Sequence, residues 1–113
     1  MREGLQKIVS DDETIVAIST PIGHSGLGLV RVSGKECLRV ARLYFKPHST
    51  LSDFQHRTAI VGAWNDSDGE RIDEVIVTFF QAPRSYTGED VLEISAHGNP
   101  FVLRRILESL RRA

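Results

Sequence analysis

Two ionisable residues lie inside apolar segments, where a charge is costly and usually has a purpose. Glu93 is the one carboxylate in the run VLEISAH, residues 91–97, and Arg31 is the one charge in GLGLVRVSG, residues 26–34. A half-buried charge destabilises the fold unless it finds a partner or a ligand. Arg31 and Glu93 are therefore candidates for pairing with each other or for binding a ligand.

Side-chain alternation along an extended strand predicts the direction of both residues. It places Glu93 on the same face as Ser95 and His97, opposite the apolar residues between them. It places Arg31 on the same face as Leu29. Both segments are thus predicted to be strands with one apolar face and one face that carries chemistry.

The loop PIGHSGLG, residues 21–28, contains three glycines that could direct backbone N–H groups at an anion. A P-loop requires GxxxxGK[ST] followed by a helix, whereas this loop has no lysine and leads into a strand. We therefore expect a tight connection or a cover over a ligand pocket, with phosphate binding as the weaker alternative.

Two further polar features flank the Glu93 strand. His97 stands at a strand-to-helix corner, where an imidazole can act as a general base or donate to a ligand, or can bond to the adjacent backbone. The hydroxyls of Ser85, Tyr86 and Thr87 belong to a polar loop before the strand. This loop either caps a ligand or a partner, or is simply solvated.

The elements that position these residues follow from periodicity and turn signals. The predicted order is strand 14–20, strand 27–33, helix 35–45, strand 57–64, strand 72–80, strand 91–96 and a helix from about residue 100. This order, ββαβββα, predicts an α+β fold: a mixed, mostly antiparallel five-stranded sheet with two helices on one face. The turn NDSDGE predicts a hairpin, and strand 72–80, apolar on both faces, is predicted to be central or covered by a second subunit.

Size and composition limit the function classes. The chain has 113 residues, enough for one domain, and its net charge of −1 gives no basic excess for gripping nucleic acid through many phosphates. The single cysteine, Cys37, excludes an internal disulfide and a cysteine-pair zinc site. No apolar run approaches the ~20 residues of a membrane span, so a soluble cytoplasmic protein is predicted.

Two long segments carry a family resemblance. TIVAISTPIGHSGLGLVRVSG, then IDEVIVTFFQAPRSYTGEDVLEISAHG and an amphipathic helix, resemble the N-terminal domain of the tRNA-modification GTPase family known as MnmE or TrmE. The resemblance spans Glu13 to the last residue. It implies that residues 1–113 form an N-terminal tetrahydrofolate-binding and dimerisation domain. The final helix has no glycine cap, which also predicts a fragment. The resemblance implies that helical and GTP-binding domains of the parent protein lie downstream.

The resemblance also implies the chemistry of the parent enzyme. It implies a GTPase that modifies the wobble uridine, position 34, of tRNA together with an FAD-dependent flavoprotein of the MnmG type. It implies a homodimer formed through this domain. GTP, Mg²⁺ and K⁺ would be bound in the absent GTP-binding domain, so this chain is expected to carry no GTPase site of its own.

For the site itself, the resemblance implies that Arg31 and Glu93 contact the folate and that a third contact, a lysine, lies beyond this chain. The implied ligand is 5-formyl- or 5,10-methylene-tetrahydrofolate. A reduced pterin presents a ring N–H beside an exocyclic amine, and one carboxylate can accept both bonds. Arg31 would then bind a carbonyl, the formyl group or the carboxylate tail. Ile22 and His24 stand where the family usually has a proline and an arginine.

Other functions stay open from the sequence. The chain could be a structural dimerisation module without a small-molecule ligand, in which case Arg31 and Glu93 would touch each other with no cavity beside them. A small hydrolase using His97 or His24 is a third possibility, although no serine or cysteine lies in a recognisable nucleophile elbow. The arginines of the final helix form either a solvated face or a contact with tRNA phosphates or another domain.

Overall fold

One antiparallel sheet organises the chain. The computed structural model describes residues 6–7, 14–19, 25–50, 54–85 and 87–113. Its elements are β1 (Gln6–Lys7), β2 (Ile15–Ile18), β3 (Ser25–Ser33), α1 (Cys37–Tyr44), β4 (Phe45–Pro47), β5 (Ala59–Asn65), β6 (Arg71–Phe80), β7 (Val91–Gly98) and α2 (Pro100–Arg111). The strands lie in the order β1-β2-β3-β7-β6-β5-β4, and each pair of neighbours is antiparallel.

The predicted α+β class with two helices is confirmed, but the predicted mixed five-stranded sheet and the order ββαβββα are wrong. Among the described residues the sheet has six strands of three residues or more, plus the two-residue β1. The prediction missed β4 because Lys46 and Pro47 were interpreted only as a helix stop. Phe45 already has extended backbone angles, φ −97° and ψ 127°, so the chain passes from α1 directly into the edge strand. A proline is tolerated at such an edge.

Both helices cover the same face of the sheet and bury its apolar side chains. α2 contacts β7, β2, β3, β6 and β5, while α1 contacts β7 and β4. Each fully buried aliphatic side chain contributes about 1.5–3 kcal/mol relative to exposure. The fully buried sheet residues are Val16, Val30, Val32, Trp64, Val75, Val77, Val91, Leu92 and Ile94, and the helices add Cys37, Val40, Ala41, Leu103, Ile106 and Leu110.

The predicted start of the final helix at about residue 100 is confirmed, since α2 begins at Pro100. The Asn99 side chain accepts a hydrogen bond from the backbone N–H of Phe101 at 2.8 Å, and Pro100 occupies the first helical position. Proline lacks an N–H that would be unsatisfied there. α2 therefore begins immediately after β7 and returns across the covered face.

The predicted hairpin between β5 and β6 is also confirmed. In its turn, the Asp66 carboxylate accepts the backbone N–H groups of Asp68 and Glu70, each at 2.9 Å. Arg105 of α2 donates to the same carboxylate at 3.1 Å. The Glu70 N–H, followed by Asp68 and Arg105, lowers the pKa of Asp66 although desolvation opposes it. The turn is thereby attached to the helix layer.

Neither helix covers the opposite face of the sheet, which we call the open face. Alternation is confirmed there: β3 and β7 point Arg31 and Glu93 to this face and bury the residues between. Apolar side chains are also exposed on it, namely Leu27, Val61 and Ile76, at 69%, 46% and 44% of their surface. In the part of the chain that the structure describes, no helix is long and apolar enough to span a membrane.

Candidate functional site

Arg31 and Glu93 are in direct contact on the open face. The register of β3 and β7 places them exactly opposite each other. The Arg31 Nε and Nη2 atoms donate to the Glu93 Oε2 atom at 3.0 and 2.6 Å. Their side chains retain 25% and 24% of their exposure, so the pair is half-buried. The two charges therefore stabilise each other across neighbouring strands.

A cavity of about 470 Å³ lies beside this ion pair. We call it the arginine cavity. Its volume is within the range of small-molecule sites in proteins. Three guanidinium groups against one carboxylate give its wall an excess of positive charge. Its lining residues are Arg31, Arg57, Phe80, Pro83, Arg84, Ser85, Val91 and Glu93.

The Glu93 carboxylate keeps acceptor capacity despite its ion pair. Both Arg31 donors reach Oε2, and no donor among the described residues reaches Oε1. A carboxylate has about four lone-pair positions on its two oxygens. Glu93 can thus accept further hydrogen bonds from a ligand while Arg31 holds the carboxylate in place.

The loop between β6 and β7 forms one wall of the arginine cavity and is tied down at several points. The Ala82 N–H donates to the Asp90 carboxylate at 2.8 Å, and the Gly34 N–H donates to the Asp90 carbonyl at 2.8 Å. The Ser85 hydroxyl donates to the Glu89 carbonyl. The cavity wall that carries Pro83, Arg84 and Ser85 is therefore ordered before any ligand arrives.

The predicted hydroxyl loop divides between two roles. Ser85 lines the arginine cavity, whereas the Thr87 hydroxyl bonds to the Ser33 hydroxyl at 2.7 Å. Tyr86 lies outside the described residues. One hydroxyl of the three is thus placed where a ligand could reach it, and another fastens the loop to β3.

Sequence reasoning missed Arg57, which also lines the arginine cavity. Its backbone N–H donates to the Phe79 carbonyl at 2.7 Å, and this bond holds residues 56–57 beside β6. Arg57 has φ 62°, in the left-handed region, which costs a residue other than glycine about 1–2 kcal/mol. The sequence predicted Arg57 only as the first residue of strand 57–64, and an arginine at a strand end is too common to single out. β5 begins instead at Ala59.

His56 was also not singled out from the sequence, and its pKa responds to the positive charges of the arginine cavity. Its Nδ1 atom accepts the Gln81 N–H at 2.9 Å, so the neutral ring carries its proton on Nε2. That Nε2 atom is buried and has no hydrogen-bond partner among the described residues. Desolvation, followed by the positive charges of Arg84 and Arg57, lowers the pKa of His56. Its imidazole is therefore held neutral.

A second cavity, of about 380 Å³, lies at the other end of the β3–β7 strand pair. We call it the apolar cavity. Its lining residues are Leu27, Val61, Glu74, Val75, Ile76, Ser95, Ala96 and His97. The His97 Nδ1 atom lies 2.8 Å from the Asp73 Oδ1 atom, and its backbone N–H donates to Asp73 Oδ2 at 2.9 Å. His97 thus bonds to a carboxylate of β6 and lies apart from the Arg31–Glu93 pair.

The remaining predicted candidates lie away from both cavities or outside the described residues. Cys37 is buried, and burial followed by the charge of Asp90 raises its pKa to about 12, so its thiol is unreactive at neutral pH. In the final helix, Arg105 pairs with Asp66 and Arg111 with Glu108. Part of the predicted basic face is therefore neutralised within the chain. Ile22, His24 and the first half of the glycine loop fall in residues that are not described, whereas Gly26 and Gly28, predicted to be in this loop, lie in β3.

Comparison with known proteins identifies the family. A family profile described as "GTP-binding protein TrmE N-terminus" matches residues 14–113. This chain belongs to the TrmE N-terminal family. Residues 14–113 include every element that lines the two cavities. The resemblance noted in the sequence is thereby confirmed.

Individual relatives of this TrmE N-terminal chain carry the name tRNA modification GTPase MnmE. The chain is 43% identical over 99 residues to the one from Desulfotalea psychrophila, covering 88% of the chain and 21% of the relative. It is 46% identical over 96 residues to the one from Aquifex aeolicus, covering 85% and 21%. For Caldicellulosiruptor saccharolyticus the values are 48% over 98 residues, covering 85% and 21%. The chain spans about a fifth of the length of these curated relatives.

Proposed function

We propose that this TrmE N-terminal domain binds 5-formyl- or 5,10-methylene-tetrahydrofolate in the arginine cavity and forms a homodimer. The domain would belong to a longer GTPase that modifies the wobble uridine, position 34, of tRNA with an MnmG-type FAD-dependent flavoprotein. The names of its relatives support the tRNA-modifying GTPase. The observation that carries folate binding is a half-buried carboxylate, Glu93, with one oxygen unbonded among the described residues and a cavity beside it.

The donor pattern of a reduced pterin matches the acceptors of this carboxylate. Two parallel N–H groups of the ligand can bond to Oε1 and to the remaining lone pair of Oε2 in a bidentate arrangement. Arg31 needs to move little, because its two bonds already orient the carboxylate. Pre-ordering of this kind reduces the entropy lost on binding. The folate, when bound, supplies a one-carbon unit; the residues of this chain hold and orient it.

A structural module without a ligand is the alternative. The direct contact between Arg31 and Glu93 favours it, since the pair already satisfies much of its charge. The adjoining cavity of about 470 Å³ argues against it, because a purely structural pair needs no space beside it. The excess of arginine on the cavity wall argues in the same direction.

Dimerisation is proposed to occur through the open face. Leu27, Val61 and Ile76 expose apolar surface there, next to the apolar cavity and away from both helices. Exposed apolar patches on a sheet face are typical of protein interfaces, and a second copy of the same face gives a closed two-fold dimer. The predicted strand 72–80 lies within β6 and carries apolar side chains on both of its faces. This supports the open face as the dimer interface.

The remaining parts of the proposal lie outside this chain. GTP, Mg²⁺ and K⁺ would be bound by the GTP-binding domain of the longer protein, and the third folate contact would be a lysine downstream. Action on tRNA would place the enzyme in the cytoplasm.

Calorimetry with 5-formyltetrahydrofolate on the full-length dimer tests this function. Glu93→Gln replaces one acceptor oxygen by a donor, so we expect affinity to fall at least ~30-fold, about 2 kcal/mol for a charge-assisted pair of bonds. Ser95→Ala, two residues further along the same face of β7, is the matched control and should bind as the wild type does. Absence of binding heat in the wild type, or equal affinity in Glu93→Gln, would reject the role of this carboxylate.

A further inference from the structure

Two arginines of the arginine cavity have no counter-charge among the residues that the structure describes. Arg31 is paired with Glu93, whereas Arg57 and Arg84 make no ion pair with any carboxylate among the described residues. Both side chains nevertheless line the same cavity. An unpaired guanidinium at the wall of a cavity is well suited to binding an anion, since it offers five donors in a fixed plane.

The geometry separates Arg57 from Glu93. Glu93 lies opposite Thr78 of β6, and Arg57 bonds to Phe79 from the other side of that strand. Two strand spacings of about 4.8 Å put the backbones of Arg57 and Glu93 roughly 10 Å apart. A ligand that places N–H donors on Glu93 therefore meets Arg57 with a more distant part of its structure, and Arg84 lines the same cavity.

Both arginines are held in place by backbone interactions. Arg57 is fixed through its N–H bond to the Phe79 carbonyl and its left-handed backbone. Arg84 lies in the tied loop, where its N–H donates to the Gln81 carbonyl at 3.0 Å. Desolvation, followed by the positive charges of Arg84 and Arg57, lowers the pKa of the neighbouring His56. The backbone of both arginines is therefore fixed by hydrogen bonds within the chain.

We propose that Arg57 and Arg84 bind the carboxylates of the ligand's glutamyl tail, and so select folates over pterins that lack this tail. This inference rests on the proposed function, because it assigns the remote end of the same ligand. Arg31 and Glu93 recognise the heterocycle, and Arg57 with Arg84 recognise the two negative charges of the tail. Charge-assisted bonds from a planar guanidinium to a carboxylate are short and directional.

The test compares 5-formyltetrahydrofolate with its counterpart without the glutamate, 5-formyltetrahydropteroate, by calorimetry on the full-length protein. We expect the wild type to bind the folate at least ~10-fold more tightly, as two partly exposed ion pairs would give. In the double variant Arg57→Gln, Arg84→Gln the preference should fall to within about 2-fold, because the affinity for the folate falls more than the affinity for the pteroate. The Lys double variant should restore part of the preference. The double variant Arg104→Gln, Arg112→Gln removes two exposed positive charges, one in α2 and one just after its end, so it is the charge-matched control and should keep the full preference.

The outcomes separate this inference from the proposed function. If the folate binds and the Gln double variant keeps the full preference for it, the tail assignment is overturned while folate binding stands. If both ligands bind the wild type equally well, the tail assignment is overturned in the same way. If neither ligand binds the wild type, the proposed function itself fails and the tail assignment fails with it.

Discussion

The two cavities lie at opposite ends of one strand pair, on one face of one sheet, yet their walls differ in kind. The arginine cavity is lined by three guanidiniums, a carboxylate and a tied loop. The apolar cavity is lined by five aliphatic side chains, three of them exposed, together with Glu74, Ser95 and His97. A fixed, charged wall is suited to a small polar ligand, whereas apolar side chains on an open face are suited to another protein surface.

The ion pairs at the two ends show the same difference. Arg31 and Glu93 are both about one quarter exposed, so each is partly removed from water. His97 is 72% exposed, while its partner Asp73 is only 12% exposed. The first pair can hold a carboxylate rigidly for a ligand. The second fixes the corner between β7 and α2 and leaves the imidazole at the surface.

The largest effect is expected at Gly34, whose backbone N–H donates to the Asp90 carbonyl at the end of the sheet that carries the arginine cavity. Gly34 has φ 137°, and an added Cβ would lie 2.5 Å from the Thr14 Cα atom. Because this neighbour is backbone and cannot move aside, we expect Gly34→Ala to lower the free energy of unfolding by about 3 kcal/mol or more in a urea titration. Gly69→Ala, at φ 84° in open space, should cost only about 1 kcal/mol. Equal losses at both glycines would contradict the crowding argument.

The apolar end is tested by placing a charge on its exposed surface. On the proposed dimer, Ile76→Arg buries an unpaired charge in the interface and should raise the dimer dissociation constant at least ~100-fold by sedimentation. Leu43→Arg, on α1, is the matched control, since Leu43 is 51% exposed and lies away from the open face. A dimer that survives Ile76→Arg unchanged would place the interface elsewhere.

A smaller effect tests whether Arg57 is held under backbone strain. Arg57 has a left-handed backbone, so glycine should fit better than alanine at this position. We expect Arg57→Gly to be more stable than Arg57→Ala by about 0.5–1 kcal/mol, after the greater entropy loss of glycine is subtracted. At Arg84, which has no positive φ, the order should reverse. Thermal or urea unfolding of the four variants measures both differences, and an identical order at the two sites would refute the strain.

The smallest expected effect concerns the titration of His56. Its pKa in the folded protein is lowered, so the unfolded chain binds more protons and stability should fall as pH decreases from about 6.5, the usual value for histidine, towards the folded pKa. Arg84→Gln should move the His56 pKa upward in an NMR titration by removing a nearby positive charge. His56→Gln should remove the corresponding part of the acid-side loss of stability. An unchanged His56 pKa in Arg84→Gln would show that Arg84 contributes little to the field at this wall.

The sequence predicted the face of each strand correctly because alternation is a local property. Alternation separated Arg31 and Glu93 from the apolar residues next to them in their own segments, and the final helix was predicted to begin at about residue 100, where α2 begins. The short strand β4 was missed because three residues give no measurable period. Strand pairing supplied what periodicity lacked, since Phe45 pairs with Trp64.

The sequence predicted only some of the residues that line the arginine cavity. Ser85 was singled out from the sequence, but Arg84 in the same loop was not, and Arg57 lies 27 positions earlier in the chain. No periodicity relates Arg57 to Arg84. They come together because residue 57 bonds to the end of β6 and the loop after β6 turns back over the same place.

The sequence by itself determined which residues carry charge on an apolar strand, which family the chain resembles and where its two helices lie. These depend on residue type and on periods of two or 3.6 residues, which neighbours along the chain impose. Only the tertiary structure decided that Arg31 and Glu93 meet, that a cavity opens beside them and that two further arginines line it. Such contacts depend on strand order and register, which join residues far apart in sequence through long-range burial of the core.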